Sequence, residues 1–391
     1  MSQFRALLLG VIALTIGACQ TTGGPTQLPT SEDLPPGYRP PPSSPEAGLW
    51  MAMERAERKL TTSGRAIRDP ELQTYIGDII CKVSPEYCET VRFAVISNAN
   101  FNANMAPQGF MQMWTGALLR FYNEAQLAYV LAHEIKHYQR RHSLKRWETT
   151  RDSTNALYFF NIATLGIASP IVSLATLGGL MSYSRDQERE ADDLAVRAMA
   201  EVGYDPREAK DIWTNLIAER DANEERDDPN IFLATHPDAE ERKETLAELA
   251  LELNADGVER ERGTVRYRSV MRRFLPVLID QELSRNELEE SEVLFKRKLD
   301  DALDEDVAVL QFALAEVYQR RGQEGDGERA IELYEQSLQS ETPPAATYRA
   351  LGLAYWRSGD KTAARPYLEN YLIAQPGATD RAMVEHMLAS E

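Results

Sequence analysis

Residues 131–142 read LAHEIKHYQRRH, with His133 and His137 four positions apart and Glu134 directly after the first histidine. In an α-helix, residues i and i+4 lie on the same face about 5–6 Å apart, so two imidazoles can reach one metal ion. The glutamate points to a neighbouring edge of the helix, from which it can act on a metal-bound water. The pattern therefore predicts a zinc-dependent protease, and a polar helix that binds nothing is the alternative.

A second helix carries acidic residues that could complete such a site. The stretch SYSRDQEREADDLAVRAM (182–199) places Glu188 in the first turn of a helix and Asp192 one turn later on the same face. A catalytic zinc ion usually has three protein ligands and one open position. One of these carboxylates can bind zinc while the other accepts a hydrogen bond from a ligating histidine. Glu190 and Asp193 are expected to face solvent.

These motifs together resemble those of a known family. HEIKH followed by RH, the stretch SRDQEREAD and GYDP (203–206) are similar to the zinc metallopeptidases that include HtpX, BepA and the CAAX prenyl proteases. Upstream, NANMAPQG (102–109) is similar to a stretch beside the active site of that family. The resemblance covers roughly residues 47–250. Departures from the family pattern occur at Asn104, Met105, Gln108 and Ala195.

The resemblance implies a role for each residue of the site. One zinc ion per chain would be bound by three ligands: His133, His137 and Glu188. Asp192 would hold a ligating histidine, and Glu134 would take a proton from the attacking water.

A further motif suggests how the site could be kept latent. THPDAEER (235–242) is similar to an element of periplasmic family members, in which the histidine can occupy the fourth position of the zinc ion. His236 is therefore a candidate plug or, once displaced, a donor to the oxyanion, with a loop histidine free of metal contact as the alternative. Arg242 is a candidate catalytic or structural partner. His142 is expected to pack or hydrogen-bond near the helix end, and His386 to be incidental.

The N-terminus predicts export and lipidation. Residues 1–18 combine Arg5, a short apolar stretch and small residues, as in a secretory signal. Ile16 to Cys19 resembles a bacterial lipobox, which implies acylation of Cys19 and a position at the periplasmic face of the outer membrane. A soluble periplasmic protein is the alternative. Residues 19–46, rich in proline, glycine and serine, predict a disordered tether.

Charge and cysteine content restrict the partners and the compartment. The 391-residue chain has a formal net charge of −18, which argues against a nucleic-acid partner. Cys81 and Cys88 enclose a short loop and are predicted to form a structural disulfide in an oxidising compartment.

The remaining patterns predict an α+β fold that is mainly helical. TVRFAVIS (90–97) and GFMQMWTGALL (109–119) predict strands of a small sheet in a metallopeptidase domain over residues 47–255. ALAEVYQRRG (313–322) and ALGLAYWRSG (350–359) share their pattern of apolar residues and a final glycine. They predict an all-α domain of tetratricopeptide-like repeats over residues 264–391.

The apolar segment 156–181 could form two helices or a transmembrane span. Two helices are favoured, because Pro170 interrupts the segment and the helices that flank it must meet at one zinc ion.

The predicted function is a periplasmic zinc endopeptidase for misfolded or stalled outer-membrane proteins. An extended substrate is expected to pair with the strand around residues 105–114. The lipid anchor would hold the protein at the membrane, and the repeats would recruit substrates or the outer-membrane assembly machinery. The alternative is a periplasmic scaffold or chaperone that acts through its repeats and has an idle or structural zinc site.

Overall fold

The computed structural model describes residues 33–151, 183–223 and 231–390. The chain divides into Met1–Asp33 and a compact unit, Leu34–Glu391. The predicted signal peptide, the lipidation site Cys19 and the apolar segment 156–181 lie outside the described residues. Among the helices that are described, none is both long and apolar enough to cross a membrane.

Helices dominate the compact unit, as the sequence predicts. In chain order across the described residues, they are α1 (Pro45–Thr61), α2 (Pro70–Val83), α3 (Thr115–Arg120), α4 (Glu124–Gln139), α5 (His142–Arg151), α6 (Arg185–Glu201), α7 (Arg207–Asp221), α8 (Ile231–Thr235), α9 (Ala239–Leu253), α10 (Thr264–Met271), α11 (Leu275–Ser284), α12 (Leu288–Asp300), α13 (Asp304–Arg321), α14 (Asp326–Ser337), α15 (Ala345–Arg357), α16 (Lys361–Ala374) and α17 (Arg381–Ala389). Short 3₁₀ turns lie at Pro85–Tyr87 and Arg272–Phe274.

A small mixed sheet accompanies the helices. Its strands are β1 (Ala66–Ile67), β2 (Arg92–Ile96), β3 (Ala103–Met105) and β4 (Phe110–Trp114), in the spatial order β1-β2-β4-β3. The β2–β4 pair is parallel and the two outer pairs are antiparallel. Both predicted strands are confirmed, and β4 runs directly into α3. The predicted α+β class, mainly helical, is compatible with this architecture.

The prediction that the strand around residues 105–114 offers an open edge for substrate pairing is wrong for most of this stretch. β4 lies between β2 and β3, so its backbone hydrogen-bonding groups are already directed at two neighbours. The open edge on this side of the sheet belongs to β3, which is three residues long. Of the predicted stretch 105–114, Met105 alone lies on that edge strand.

The folded unit begins earlier than the predicted tether allows. The backbone N–H of Leu34 donates to the carbonyl of Gln139, and the Tyr87 hydroxyl donates to the Leu34 carbonyl. The Leu34 side chain is 2% exposed and belongs to the main core. The predicted disordered tether over 19–46 therefore does not extend through residues 34–46, because an apolar side chain and backbone hydrogen bonds fix this segment.

The Cys81–Cys88 disulfide is present at the end of α2, with the two Cα atoms 4.5 Å apart. It encloses Tyr87, whose ring packs edge-on against Tyr138 of α4 at 5.8 Å. The bridge thus fixes a short loop that supports the outer side of α4.

Helix α4 is buried all round. Asn123 caps its N-terminus by accepting a hydrogen bond from the Gln126 backbone N–H at 3.0 Å. Every residue from Glu124 to Tyr138 is buried. A buried helix must satisfy its polar side chains inside the protein. Glu124 does so by accepting hydrogen bonds from Tyr75 and Tyr204.

The polar stretch 254–263 joins two regions without a break in packing. Glu261 forms a parallel bridge with Tyr204, and the Ala125 N–H donates to the Arg262 carbonyl. Beyond it, Tyr267 and Met271 of α10 belong to the same core as the sheet and α4. The division into domains at 255 and 264 stays a prediction, and α10 packs with the residues that precede it.

Helices α11 and α12 carry a buried ionic network that reaches α3 and α7. Arg120 of α3 donates to Glu282 of α11 at 2.9 and 3.0 Å and to Glu219 of α7 at 2.6 Å. Both members of the Arg120–Glu282 pair are at most 5% exposed. Arg285 and Ser291 also donate to Glu282. The network therefore attaches the C-terminal helices to the rest of the unit.

The two segments with matching patterns form α13 and α15, each packed against the helix that follows. Corresponding positions have corresponding surroundings: Leu314 and Leu351 are buried, and so are Ala330 and Ala364. Each first helix ends near a glycine with positive φ, 65° at Gly322 and 88° at Gly359. The structure thus contains two similar helix pairs, α13–α14 and α15–α16.

Candidate metal centre

Three parts of the chain bring potential metal ligands together. Helix α4 supplies His133 and His137, α6 supplies Glu188, and His236 follows α8 directly. One donor atom from each of these side chains lies within 4.8 Å of the others. All four residues are at most 1% exposed. The structure therefore brings together every predicted metal ligand and the predicted plug.

The local sequence explains why α6 presents Glu188 to this point. Ser184 accepts a hydrogen bond from the Gln187 backbone N–H, and the Gln187 side chain accepts one from the Ser184 N–H. This capping box starts the helix and places Glu188 in its first turn. Asp192 lies one turn later and faces the same side.

Asp192 orients His133. Its Oδ1 atom lies 2.9 Å from Nδ1 of His133 and accepts a hydrogen bond from the Tyr129 hydroxyl at 2.6 Å. Because a carboxylate only accepts, a proton of His133 is held on Nδ1, which leaves Nε2, the atom that faces Glu188, as the nitrogen for a metal ion. Asp192 therefore has the position predicted for it.

Arg242 is a buried partner of Glu188 and Asp192, the two buried carboxylates of α6. Its guanidinium lies 2.5 Å from Glu188 and 2.5 Å from Asp192, and it stacks 3.9 Å above the ring of Trp213. Burial alone would raise the pKa of Glu188, but Arg242 and His236 outweigh that effect and hold it well below its usual range. Arg242 thus keeps Glu188 ionised, as a metal ligand must be.

Glu134 has no hydrogen-bond partner on either carboxylate oxygen among the described residues. It is fully buried, and its Oε1 atom lies 3.6 Å from Nε2 of His236. Burial raises the pKa of this carboxyl. A buried, unsatisfied carboxylate is costly in a native structure, so a group that belongs to the functional state is expected at this point.

The donor set fits zinc. Zinc binds histidine nitrogen and carboxylate oxygen at about 2.0–2.2 Å, which separates two tetrahedral ligand atoms by roughly 3.4 Å. The Nε2 atoms of His133 and His137 lie 3.0 Å apart, and the Glu188 oxygens lie 3.4 and 3.6 Å from them. Nitrogen and oxygen atoms that converge so closely at buried side chains suit a cation between them.

His236 is positioned by contacts on two sides. Its Nδ1 atom lies 3.1 Å from Glu188, and its ring packs 4.4 Å from Phe232. Two residues later, Asp238 adopts positive φ (63°), which turns the chain into α9. The alternative interpretation, a loop histidine away from the metal site, is therefore not supported by its position.

Other predicted residues have definite places. His142 is buried, with Nδ1 at 2.9 Å from Nδ1 of His137. Glu190, predicted to face solvent, is more than one-third exposed at its side chain and also lies 3.1 Å from Nε2 of His142, because the turn after α4 brings the histidine back to α6. Asp193 pairs with Arg197 at the surface, and His386 is exposed on α17.

Three aromatic residues of the site were not predicted. Tyr183 stacks on the ring of His137 at 3.7 Å, Tyr129 donates to Asp192, and Trp213 lies beneath Arg242. Tyr129 lies one turn before His133 on α4. Its sequence position is that of an ordinary core residue on the apolar face of the helix and gives no sign of a functional role. Trp213 lies on α7, far from any motif, and only the tertiary fold brings it here.

The HExxH helix, the carboxylate on a second helix and the convergent donors together form the arrangement expected of an HExxH zinc site. Residues 66–250 match the model of peptidase family M48. The resemblance seen in the motifs is therefore confirmed.

Individual relatives agree with this assignment. The chain is 29% identical over 258 residues to the beta-barrel assembly-enhancing protease of Escherichia coli strain K12, covering 61% of this chain and 52% of that protein. It is 31% identical over 155 residues to the mitochondrial metalloendopeptidase OMA1 of Schizosaccharomyces pombe, covering 39% of this chain and 45% of the relative. The chain thus spans about half the length of these curated relatives.

Proposed function

We propose that the chain is a zinc-dependent endopeptidase, with His133, His137 and Glu188 as metal ligands and Glu134 as general base. The unsatisfied carboxylate of Glu134 beside the convergent donors carries this proposal. A purely structural zinc site needs no such group, and burying it costs free energy.

Each residue has a chemical task in this proposal. A bound zinc ion would polarise the substrate carbonyl and acidify the attacking water. Glu134 accepts the proton of that water, and its raised pKa suits the transfer of this proton to the leaving amine. Asp192 and Arg242 hold His133 and Glu188 in place.

His236 is proposed to keep the site latent. It adds a fourth protein donor to the cluster, which leaves no open position for water and substrate. Displacement of the ring would open that position and would free the histidine to donate to the oxyanion. We expect His236→Ala to increase proteolysis, measured with an unfolded protein substrate. Unchanged or lower activity would contradict the latency role.

The proposed substrates are misfolded or stalled outer-membrane proteins in the periplasm. The bacterial relative named above is a beta-barrel assembly-enhancing protease, which supports this class of substrate. The outward edge of β3 beside α4 could pair with an extended chain through backbone hydrogen bonds, which read little sequence. Acylation at Cys19 would hold the protein at the outer membrane.

The helix pairs α13–α14 and α15–α16 are proposed to be tetratricopeptide-like units. Their buried small residues and glycine-terminated first helices support this assignment. Stacked helix pairs leave a concave surface, and here it would recruit substrates or the outer-membrane assembly machinery.

The test is cleavage of an unfolded protein by the full chain carrying His236→Ala, with and without Glu134→Gln. The shared background separates latency from inactivity. We expect cleavage that a chelator abolishes and that Glu134→Gln reduces by at least about 100-fold, the scale of general-base catalysis. If neither protein cleaves the substrate although both have bound zinc, a scaffold or chaperone that acts through its repeats would be favoured instead.

A further inference from the structure

We propose that His142 and Glu190 act as positioning residues for His137, by fixing which of its ring nitrogens is free to bind zinc. The proposal rests on the role of His137 as a zinc ligand, and it concerns two residues outside the ligand set and the general base. Three side chains are connected in a row: His137 contacts His142, and His142 contacts Glu190.

Glu190, at the end of this row, determines which ring nitrogen carries a proton in each of the two histidines. Glu190 is a carboxylate and can only accept, so Nε2 of His142, 3.1 Å away, carries a proton. In a neutral His142, Nδ1 is then a lone pair. That lone pair lies 2.9 Å from Nδ1 of His137 and accepts its proton. The remaining nitrogen of His137, Nε2, is left unprotonated, and this atom faces His133 and Glu188.

The opposite arrangement would prevent metal binding. If Nδ1 of His142 donated instead, His137 would accept on Nδ1 and carry its proton on Nε2, where a zinc ion must bind. Glu190 therefore acts on the metal site through two hydrogen bonds. Arg140 helps to keep Glu190 in place, with 3.1 Å between its Nε atom and the other carboxylate oxygen.

The backbone has an unusual conformation at the residue that makes this contact possible. Helix α4 ends at Gln139, and Arg141 adopts positive φ (57°) before α5 begins at His142. In a continuous helix, residue i+5 would point well away from residue i. The left-handed residue turns the chain so that the His142 ring faces His137. A non-glycine residue in this region costs about 1 kcal/mol or more, which is typical of functional sites.

Two contacts hold Arg141 in this conformation. Its guanidinium donates to Glu46 at 2.8 Å and lies 5.2 Å from the ring of Tyr38. Both partners lie in or near the start of α1, outside the metal site. The turn is thus fixed independently of any metal, and the His142 ring is already placed when zinc arrives.

The proposal is tested by zinc affinity, measured for the purified full chain by competition with a chromogenic chelator. His142→Leu removes the acceptor and should lower zinc affinity by about 10–100-fold, the usual effect of removing an outer partner of a metal ligand. His142→Asn places an amide oxygen near the position of Nδ1 and should recover most of that affinity. A residue with a merely structural role would show no such rescue.

Glu190→Ala provides a second, independent variant. Glu190 is more than one-third exposed at its side chain, so its loss should leave the fold intact. We expect a smaller fall in zinc affinity, because His142 stays in place but is free to donate or accept. The matched control is Asp193→Ala, which removes an acidic side chain of similar exposure on the same helix. This control should leave zinc affinity unchanged.

The outcomes are distinguishable from failure of the proposed function. If the parent chain binds no zinc, the ligand assignment itself is wrong. If the parent binds zinc, and both His142→Leu and Glu190→Ala stay within about threefold of it, the positioning role is overturned. Should His142→Leu fail to fold, the comparison of His142→Asn, Glu190→Ala and Asp193→Ala decides between the same two results.

Discussion

Charge balance at the site depends on single residues, and Arg242 contributes most to it. Two buried carboxylates, Glu188 and Asp192, share its guanidinium. In the metal-free protein this guanidinium is therefore the main compensation for two negative charges. When zinc is bound, the ion adds its own positive charge beside Glu188.

We expect Arg242→Gln to destabilise the metal-free protein by about 3–5 kcal/mol, because it leaves buried charge unpaired. Zinc should restore part of this loss, since it compensates Glu188. The measurement is thermal unfolding of the variant and the parent, each with a chelator and with zinc. Arg189→Gln, which removes an exposed arginine paired with Glu241, is the control and should change stability by less than about 0.5 kcal/mol. An Arg242→Gln deficit that zinc leaves unchanged would contradict this account.

The sequence was most informative at the residues that bear the chemistry. The spacing of His133, Glu134 and His137 on one helix was enough to predict two ligands and a base, and Glu188 was predicted from its place in the first turn of a second helix. Tyr183 and Trp213 could not be predicted in the same way. Their roles depend on which rings and guanidinium groups the tertiary fold places beside them, and an aromatic residue has the same local pattern in any core.

At the scale of elements, the sheet shows where prediction from local sequence patterns fails. Apolar sequence patterns predicted β2 and β4, whereas the three-residue β3 is too short to produce a pattern. Whether a strand is central or at an edge depends on its partners, which local patterns do not contain. The same limit applied to Leu34: one apolar residue in a proline-rich segment did not indicate that the segment packs on the core.

Close approach of two helices gives a prediction at this scale. Gly352 of α15 faces α16, and a Cβ atom there would lie 2.7 Å from Cδ2 of Leu368. Gly352→Ala should therefore destabilise this helix pair by about 1–3 kcal/mol. A Cβ atom added at Gly327, within α14, would instead point into open space, and Gly327→Ala should stabilise by about 0.5–1 kcal/mol. Urea unfolding of both variants checks these opposite signs, and a shared sign would contradict the packing argument.

For the whole molecule, the ionic network around Arg120 connects parts of the chain that are far apart in sequence. Burial alone would raise the pKa of Glu282, but Arg120 and Arg285 outweigh burial and hold it below its usual value. A carboxylate with a lowered folded-state pKa stabilises the fold above its unfolded-state pKa, near 4.5, and loses that contribution as the pH falls through the folded-state value.

We therefore expect Glu282→Gln to reduce stability by about 3–5 kcal/mol at pH 7, and this deficit to shrink as the pH is lowered below about 4.5. Urea unfolding of parent and variant across pH 3–7 measures the difference. Asp280→Asn, at an exposed position on the same helix, should show the same dependence of stability on pH as the parent. A deficit that is constant across this range would show that charge is not its cause.

Truncation tests how far the metallopeptidase region depends on the helices that follow it. A chain ending at residue 255 lacks Tyr267, which donates to the Leu118 carbonyl, and lacks Glu282 opposite Arg120. We expect it to unfold at a lower temperature than a chain ending at residue 303, which retains α10 to α12. Equal unfolding temperatures would mean that the first region is stable by itself.

The pairing of Arg120 with Glu282 joins residues 162 positions apart, and this separation has a consequence for the order of events during synthesis. Arg120 and its other partner, Glu219, emerge from the ribosome long before Glu282, so the buried network lacks one of its carboxylates until α11 has been made. Contacts of such long range also form late, because a large loop must close first. We therefore expect the proposed metal site to mature only after α11 has emerged and docked, so that a growing chain carries the histidines and glutamates of the site before they can be held together.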